Sequence, residues 1–167
     1  MSNKLPFEAI VKRHGPTVLR VCSAVVGPAD VDDAWSETFL SAMKAYGSLP
    51  DDANVEAWLV TIAHRRSIDV GRARSRPPVP SDSIEDRAAW SQCVQPDAEL
   101  AAALNALPHK QRRSVAYHYL GGLPYAEVAA ILGGTEAAAR RAAADGIKRL
   151  RRTIPLKIDS DAERRDR

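Results

Sequence analysis

Cysteine is nearly absent from these 167 residues: only Cys22 and Cys93 occur, far apart. Two such residues support neither a disulfide framework nor a zinc site, and they fit a reducing cytoplasm. Aromatic residues make up only 5% of the chain. No apolar run approaches the roughly 20 residues of a membrane span, so no membrane partner is expected. The opening MSNKLPFEAIVKRHG has no long apolar stretch and does not read as a signal peptide. No strand pattern of convincing length appears. His14, His64, His109 and His118 show no metal-binding spacing, and there is neither a phosphate-cradling glycine loop nor a nucleophile elbow. Gly133-Gly134 is too short to cradle phosphates. Catalysis, a cofactor and a metal are therefore not expected.

What remains is helical and basic in patches. Net charge is +3 with a pI near 9.0, and the positive charge is clustered. The organising stretch runs from Leu123 to Arg152, LPYAEVAAILGGTEAAARRAAADGIKRLRR. Val128, Ala129 and Leu132 give one apolar stripe. Pro124 suits a first helical turn. Gly133 or Gly134 can end the helix in a left-handed conformation, and Thr135 can cap the next one. That next helix carries Arg140, Arg141, Lys148, Arg149, Arg151 and Arg152 against Asp145 alone. Helix, glycine turn and basic helix is the layout of a DNA-binding helix-turn-helix. An ordinary helical hairpin with a solvated basic face is the simpler alternative.

Taken in order, Pro6 to His14 reads as a short helix, interrupted at Gly15-Pro16 and resumed over Thr17 to Val26. Asp30 can cap the following helix, with Asp33 at its N3 position, and that helix runs to about Tyr46. Val31, Trp35, Phe39, Met43 and Tyr46 recur at helical spacing. Gly47 to Pro50 breaks the pattern. A further helix starts near Val55 with Trp58, Leu59, Ile62 and Ala63 inward. It then turns basic: His64, Arg65, Arg66, Arg72, Arg74 and Arg76 face only Asp69. Residues 77–96 read as a flexible linker, with a short helix around Ile84 to Trp90. Asp97 is a candidate N-cap, and helical period returns with Leu100, Leu104 and Leu107. Pro108 starts another helix in which Val115, Ala116 and Tyr119 would pack. Residues 155–167 form a charged tail. The expectation is an all-α chain: two small helical domains, 5–76 and 97–154, joined by a flexible linker, the second a helix-turn-helix domain.

These segments carry a resemblance. DVDDAWSETFLSAMKAY, NVEAWLVTIAHRRSIDVGRARSR and LNALPHKQRRSVAYHYLGGLPYAEVAAILGGTEAAARRAAADGIKRLRR, in that order, resemble a sigma-70 family RNA polymerase sigma factor of the extracytoplasmic-function (ECF) group. The likeness covers roughly Phe7 to Arg152. It implies that the first segment docks on core RNA polymerase, mainly the β′ clamp, through Asp30, Asp32, Asp33 and Glu37. It implies that the second holds the promoter minus-10 element through Trp58, His64, Arg65, Arg66, Arg72 and Arg74. The third would read the minus-35 element through Thr135, Glu136, Arg140, Arg141, Lys148 and Arg149. The family further implies promoter DNA as partner, an anti-sigma factor as candidate partner, a cytoplasmic location and a monomer when free.

The chain departs from the family at several positions. Ser36 stands where Gln is usual, and Arg65 where Asn is usual. Ala139 replaces a branched residue, and Ala142 to Ala144 replace bulkier ones.

Chemistry supports the same division. Arginine planes stack on unpaired bases, and a buried cluster of like charge is untenable. Trp58 shares its helical phase with Leu59 and Ile62, so core packing is its simpler role, as it is for Trp35 and Phe39. An acidic helix start repels DNA and suits a protein partner, or it merely caps and solubilises. The competing function is a free-standing helix-turn-helix regulator binding operators as a dimer. An anti-sigma factor is a third reading, disfavoured because a zinc pattern and a membrane segment are both lacking.

Overall fold

The computed structural model describes residues 4–74 and 98–154, and among these no strand occurs. The expected linker, the short helix expected around Ile84 to Trp90, the expected Asp97 cap and the expected tail lie outside the described residues.

Helix α1 is Phe7–Val25, unbroken, with Pro16 inside it. The expected interruption at Gly15-Pro16 does not occur. Pro16 cannot donate a backbone hydrogen bond, but the weak point is gripped from outside. The Trp35 indole Nε1–H donates to the Gly15 carbonyl at 3.1 Å. Its ring edge lies against the bare glycine, 3.6 Å from where a Cβ would stand.

Helix α2 is Val31–Ala45, entered through a 3-10 turn over Pro28–Asp30. The expected Asp30 cap is not made. Its backbone sits at φ −108°, ψ −4°, and its side chain accepts no capping bond, because a capping oxygen needs an extended backbone. The first turn still carries Asp32 and Asp33 on the positive helix end. The buried stripe of α2 is Ala34, Thr38, Phe39 and Ala42. That stripe leaves Met43 outside, 54% exposed, rather than inward as its spacing implied.

Helix α3 is Val55–Arg74. Asn54 Oδ1 accepts from the Ala57 N–H at 3.1 Å and caps it. Leu59, Val60 and Ala63 are buried. Trp58 and Ile62 are partly buried against the same core.

The second half comprises α4 (Ala98–Asn105), α5 (His109–Val115), α6 (Tyr125–Leu132) and α7 (Glu136–Thr153). Between α5 and α6 the chain makes one π-helical turn, Ala116–Leu120. A π turn holds an extra residue and shifts the helical phase. It explains why Tyr117 is fully buried while Tyr119, the residue expected to pack, is 55% exposed. Leu104, Leu107, Val115, Leu123 and Val128 complete this core.

The two halves pack against each other. Helix α1 touches α2 and α3 on one side and α4, α5 and the π turn on the other, and α3 touches α6. At the seam His64 Nδ1 and the Tyr117 hydroxyl lie 2.6 Å apart, with the rings edge to face. Burial first, then the charges of Arg113 and Arg65, lower the His64 pKa from 6.5 to about 4. The folded state thus disfavours the protonated ring. Its contribution to stability is complete above about pH 6.5 and is lost as pH falls toward 4. Urea denaturation should show that decline, and His64→Gln should remove part of it. Tyr117→Phe should cost about 1 kcal/mol at pH 7, the usual net worth of one hydrogen bond. Unchanged stability in Tyr117→Phe would mean that the seam does not rely on this contact.

Candidate nucleic-acid and partner-binding surfaces

The most sharply built surface is α7. Gly133 and Gly134 adopt φ values of 74° and 134°, which L side chains rarely tolerate, so the tight turn into the helix depends on glycine. Thr135 follows in an extended conformation. Its Oγ1 accepts from the Ala138 N–H at 3.2 Å, an N-cap as expected.

One face of α7 is committed to packing. Ala139, Ala142, Ala143, Gly146 and Leu150 are its buried residues. A Cβ on Gly146 would stand 2.7 Å from Val115 Cγ2 of α5, so the two helices approach as closely as their side chains permit. Ala139, Ala142 and Ala143 are therefore committed to this packed face. The opposite face holds Ala137, Arg141, Ala144 and Lys148 at i, i+4, i+7 and i+11, all exposed.

Arg140 and Arg141 differ in setting. Arg140 Nη2 donates to Glu136 Oε1 at 2.7 Å. Its guanidinium also lies 5.5 Å from the centre of the Tyr125 ring, which in turn stacks on His118 at 3.8 Å. Arg140 and Glu136 thus occupy each other, and the Thr135 hydroxyl is occupied by its cap. Arg141 is exposed and makes no ion pair with any described residue. Arg149 is exposed further along the helix.

The basic end of α3 is divided rather than shared. Arg65 is exposed. Arg66 pairs with Asp69 at 3.4 Å. His64 turns to Tyr117 at the seam. Arg72 is exposed and borders a cleft between the halves. Arg74 ends the helix. Trp58 lies beside Tyr46, ring centres 6.4 Å apart, in the margin of the core.

On α2, Asp33 and Glu37 are exposed, while Asp30 and Asp32 are partly buried. Beside them Leu40 and Met43 are 49% and 54% exposed. Sequence reasoning missed this apolar element, because period alone assigned Met43 to the core. It also missed Arg112, Arg113 and Tyr117. Lys110, Arg112 and Arg113 stand close together in the sequence, but the burial of Arg112 was not visible there.

Among the described residues no group of three or more His, Cys, Asp or Glu side chains could hold a metal, and no helix is long and apolar enough to cross a membrane.

Together these features define a helical DNA-binding protein with two basic helices on separate halves. Residues 10–76 match the family model for sigma-70 region 2, and residues 97–150 match that for sigma-70 region 4. The chain belongs to the sigma-70 family, in its ECF group, and is a sigma factor directing transcription initiation. It is 28% identical to the ECF RNA polymerase sigma factor SigM of Mycobacterium tuberculosis over 154 residues, covering 91% of this chain and 79% of that one. It is 35% identical to the ECF sigma factor RpoE of Cereibacter sphaeroides over 96 residues, 54% of this chain and 52% of that one. In fold it is similar to the sigma factor RpoE solved in complex with the anti-sigma factor NepR from Bartonella quintana. The TM-score is 0.73 at 21% identity, over 90% of this chain and 98% of that one. It is likewise similar to CnrH in complex with the cytosolic domain of CnrY, with a TM-score of 0.65 at 24% identity, over 90% and 88% of the two chains. This membership does not favour a dimeric operator-binding regulator.

Thr135→Val keeps the shape of the cap residue and removes its acceptor. It should lower stability by about 1 kcal/mol, measured by urea unfolding. A loss below a few tenths would show that the glycine turn alone sets the start of α7.

Proposed function

We propose that the chain works as a monomeric, non-enzymatic specificity subunit of RNA polymerase in the cytoplasm, with its three surfaces in three roles. The observation that carries this reading is the pair of basic helices, α3 and α7, on separate halves beside a third surface that is acidic and apolar. Residues 5–76 would form the polymerase-docking and minus-10 domain, residues 97–154 the minus-35 domain, with 77–96 as linker and 155–167 as tail.

The face of α2 with Asp33, Glu37, Leu40 and Met43 suits a protein. Its charge repels DNA, and its exposed Leu40 and Met43 gain from burial. Core polymerase, mainly its β′ clamp, is the proposed partner, with Asp30 and Asp32 contributing charge at the helix start. An anti-sigma factor is a further candidate, since both solved neighbours bind another protein: NepR, an anti-sigma factor, and CnrY.

Arg65, Arg66, Arg72 and Arg74 would hold the minus-10 strand by stacking and phosphate contact, with Trp58 supporting them from the core margin. His64 could join them only once it leaves Tyr117. Geometry requires such a parting. Elements about 25 base pairs apart are separated by roughly 85 Å of duplex at 3.4 Å per pair. A packed unit of this size is only about 35 Å across. The halves therefore have to separate along the linker to engage both elements.

In α7 the outward Arg141 is the best-placed base reader, and Lys148 and Arg149 would contact phosphate. Arg140, tied to Glu136 and Tyr125, would support the helix and touch backbone, while Thr135 and Glu136 shape the helix start. Core polymerase should initiate at defined genomic promoters only when this protein is added. Selection from a randomised minus-35 library should then show relaxed preference for Arg141→Ala, by about 1–3 kcal/mol at one base pair. Arg140→Ala should weaken all promoters alike with a shallower salt slope. If both variants keep the parent's preferred sequence, α7 reads DNA shape instead.

The double reversal Asp33→Lys, Glu37→Lys should weaken competition for core polymerase at least tenfold while helical content stays constant. Normal competition would leave these acids only a capping and solubilising role.

A further inference from the structure

Where the halves meet, between the end of α1, α3 and α5, lies a cleft of about 350 Å³, at the lower end of the usual range for ligand sites. Its walls include Arg72 and Ser67 from α3 and His109, Arg112 and Arg113 from α5, with Asp30 the one carboxylate among the described lining residues. We propose that this cleft binds a small phosphorylated anion, gripped by Arg72 from one half and by Arg112 and Arg113 from the other.

The case rests on a buried cation, Arg112, and its neighbour Arg113, neither of which has an ion-pair partner among the described residues. Arg112 is only 8% exposed. Its Nη1 donates to the Asn105 carbonyl at 3.2 Å, and its Nη2 donates to His109 Nδ1 at 2.7 Å. Neither partner is a carboxylate: one is a backbone carbonyl and the other an imidazole nitrogen. Arg112 Nε is buried with no partner, and so is Arg113 Nε on the adjacent residue. No carboxylate among the described residues forms an ion pair with either arginine. Burial and the neighbouring Arg113 both push the Arg112 pKa down, the direction of a cation lacking a counter-charge.

Water could satisfy two Nε–H groups but would leave the charges unbalanced, which is the costlier deficit in a buried site. An anion meets both needs. Guanidinium forks are matched to phosphate oxygens, and a tetrahedral phosphate can accept from opposite walls at once. Ser67 lines the α3 side, with its hydroxyl engaged by the buried Cys22 thiol rather than offered to the anion. Because the donors come from both halves, a bound anion would favour the packed arrangement over the separated one. That consequence rests on the parting of the halves proposed above; the site itself does not.

The test uses the full chain without DNA or polymerase, so its failure leaves the sigma-factor reading intact. Inorganic phosphate, pyrophosphate and a nucleoside diphosphate are titrated at constant ionic strength, with sodium chloride as the balancing salt. Buried arginine Nε–H resonances are followed by NMR. The Arg112 and Arg113 signals should shift saturably with phosphate and not with chloride. Tighter binding of the nucleoside diphosphate than of pyrophosphate would place a nucleoside in the same cleft. Arg113→Gln should weaken the apparent affinity about tenfold, read by thermal shift. Arginine signals that do not move in the wild-type protein overturn the proposal whether or not the variant folds. So do signals that move equally with chloride, or an identical thermal shift in Arg113→Gln.

Discussion

Everything in this molecule hangs on α1 remaining one rod through Pro16. The proline deletes a hydrogen bond at mid-helix, and an isolated helix would kink or stop there. The Trp35 indole on the Gly15 carbonyl holds the weak point from a second helix. An unbroken α1 can then present Val18, Val21, Cys22 and Val25 as one buried stripe. That stripe serves two clients, α2–α3 on one side and α4, α5 and the π turn on the other. Burial is deep enough there to push the Cys22 thiol up to about 12, leaving it an inert core residue.

The same economy appears in α7, where small residues position a charged surface. Ala139, Ala142, Ala143 and Gly146 form its buried face, and Gly146 lets it come close against α5. Close approach fixes rotation about the helix axis, and rotation sets Arg140 over the Tyr125 ring while Arg141 stands exposed on the outer face. A helix with bulky inward residues could turn or tilt more freely. Alanine-rich composition thus serves packing and orientation, and it leaves few side chains for base recognition.

The packed halves place opposing demands on α3. Its inner residues Leu59, Val60 and Ala63 belong to the core, while its basic end is shared among solvent, Asp69, Tyr117 and the cleft. A helix whose cations are partly engaged within the chain is not simply an open nucleic-acid surface. Its availability depends on the seam, where a histidine is held toward its neutral form and two guanidinium groups have no ion-pair partner among the described residues.

Much of this was legible in the residues alone. The all-helical class, the glycine turn, the Thr135 cap and the two basic helices follow from spacing and composition, because helix periodicity and capping are local properties. The order of segments was enough to reveal the family. Four features were decided only by tertiary contact. Gly15-Pro16 reads locally as a break, and the Trp35 grip overrides it. Tyr119 reads as core until the π turn shifts the phase and buries Tyr117 instead, and a π turn has no signature in spacing. Arg140 and Arg141 are equivalent in sequence, and only the seating of α7 on α5 separates them. Arg112 is singled out by no local pattern; it is buried beside a cleft that residues distant in sequence line together.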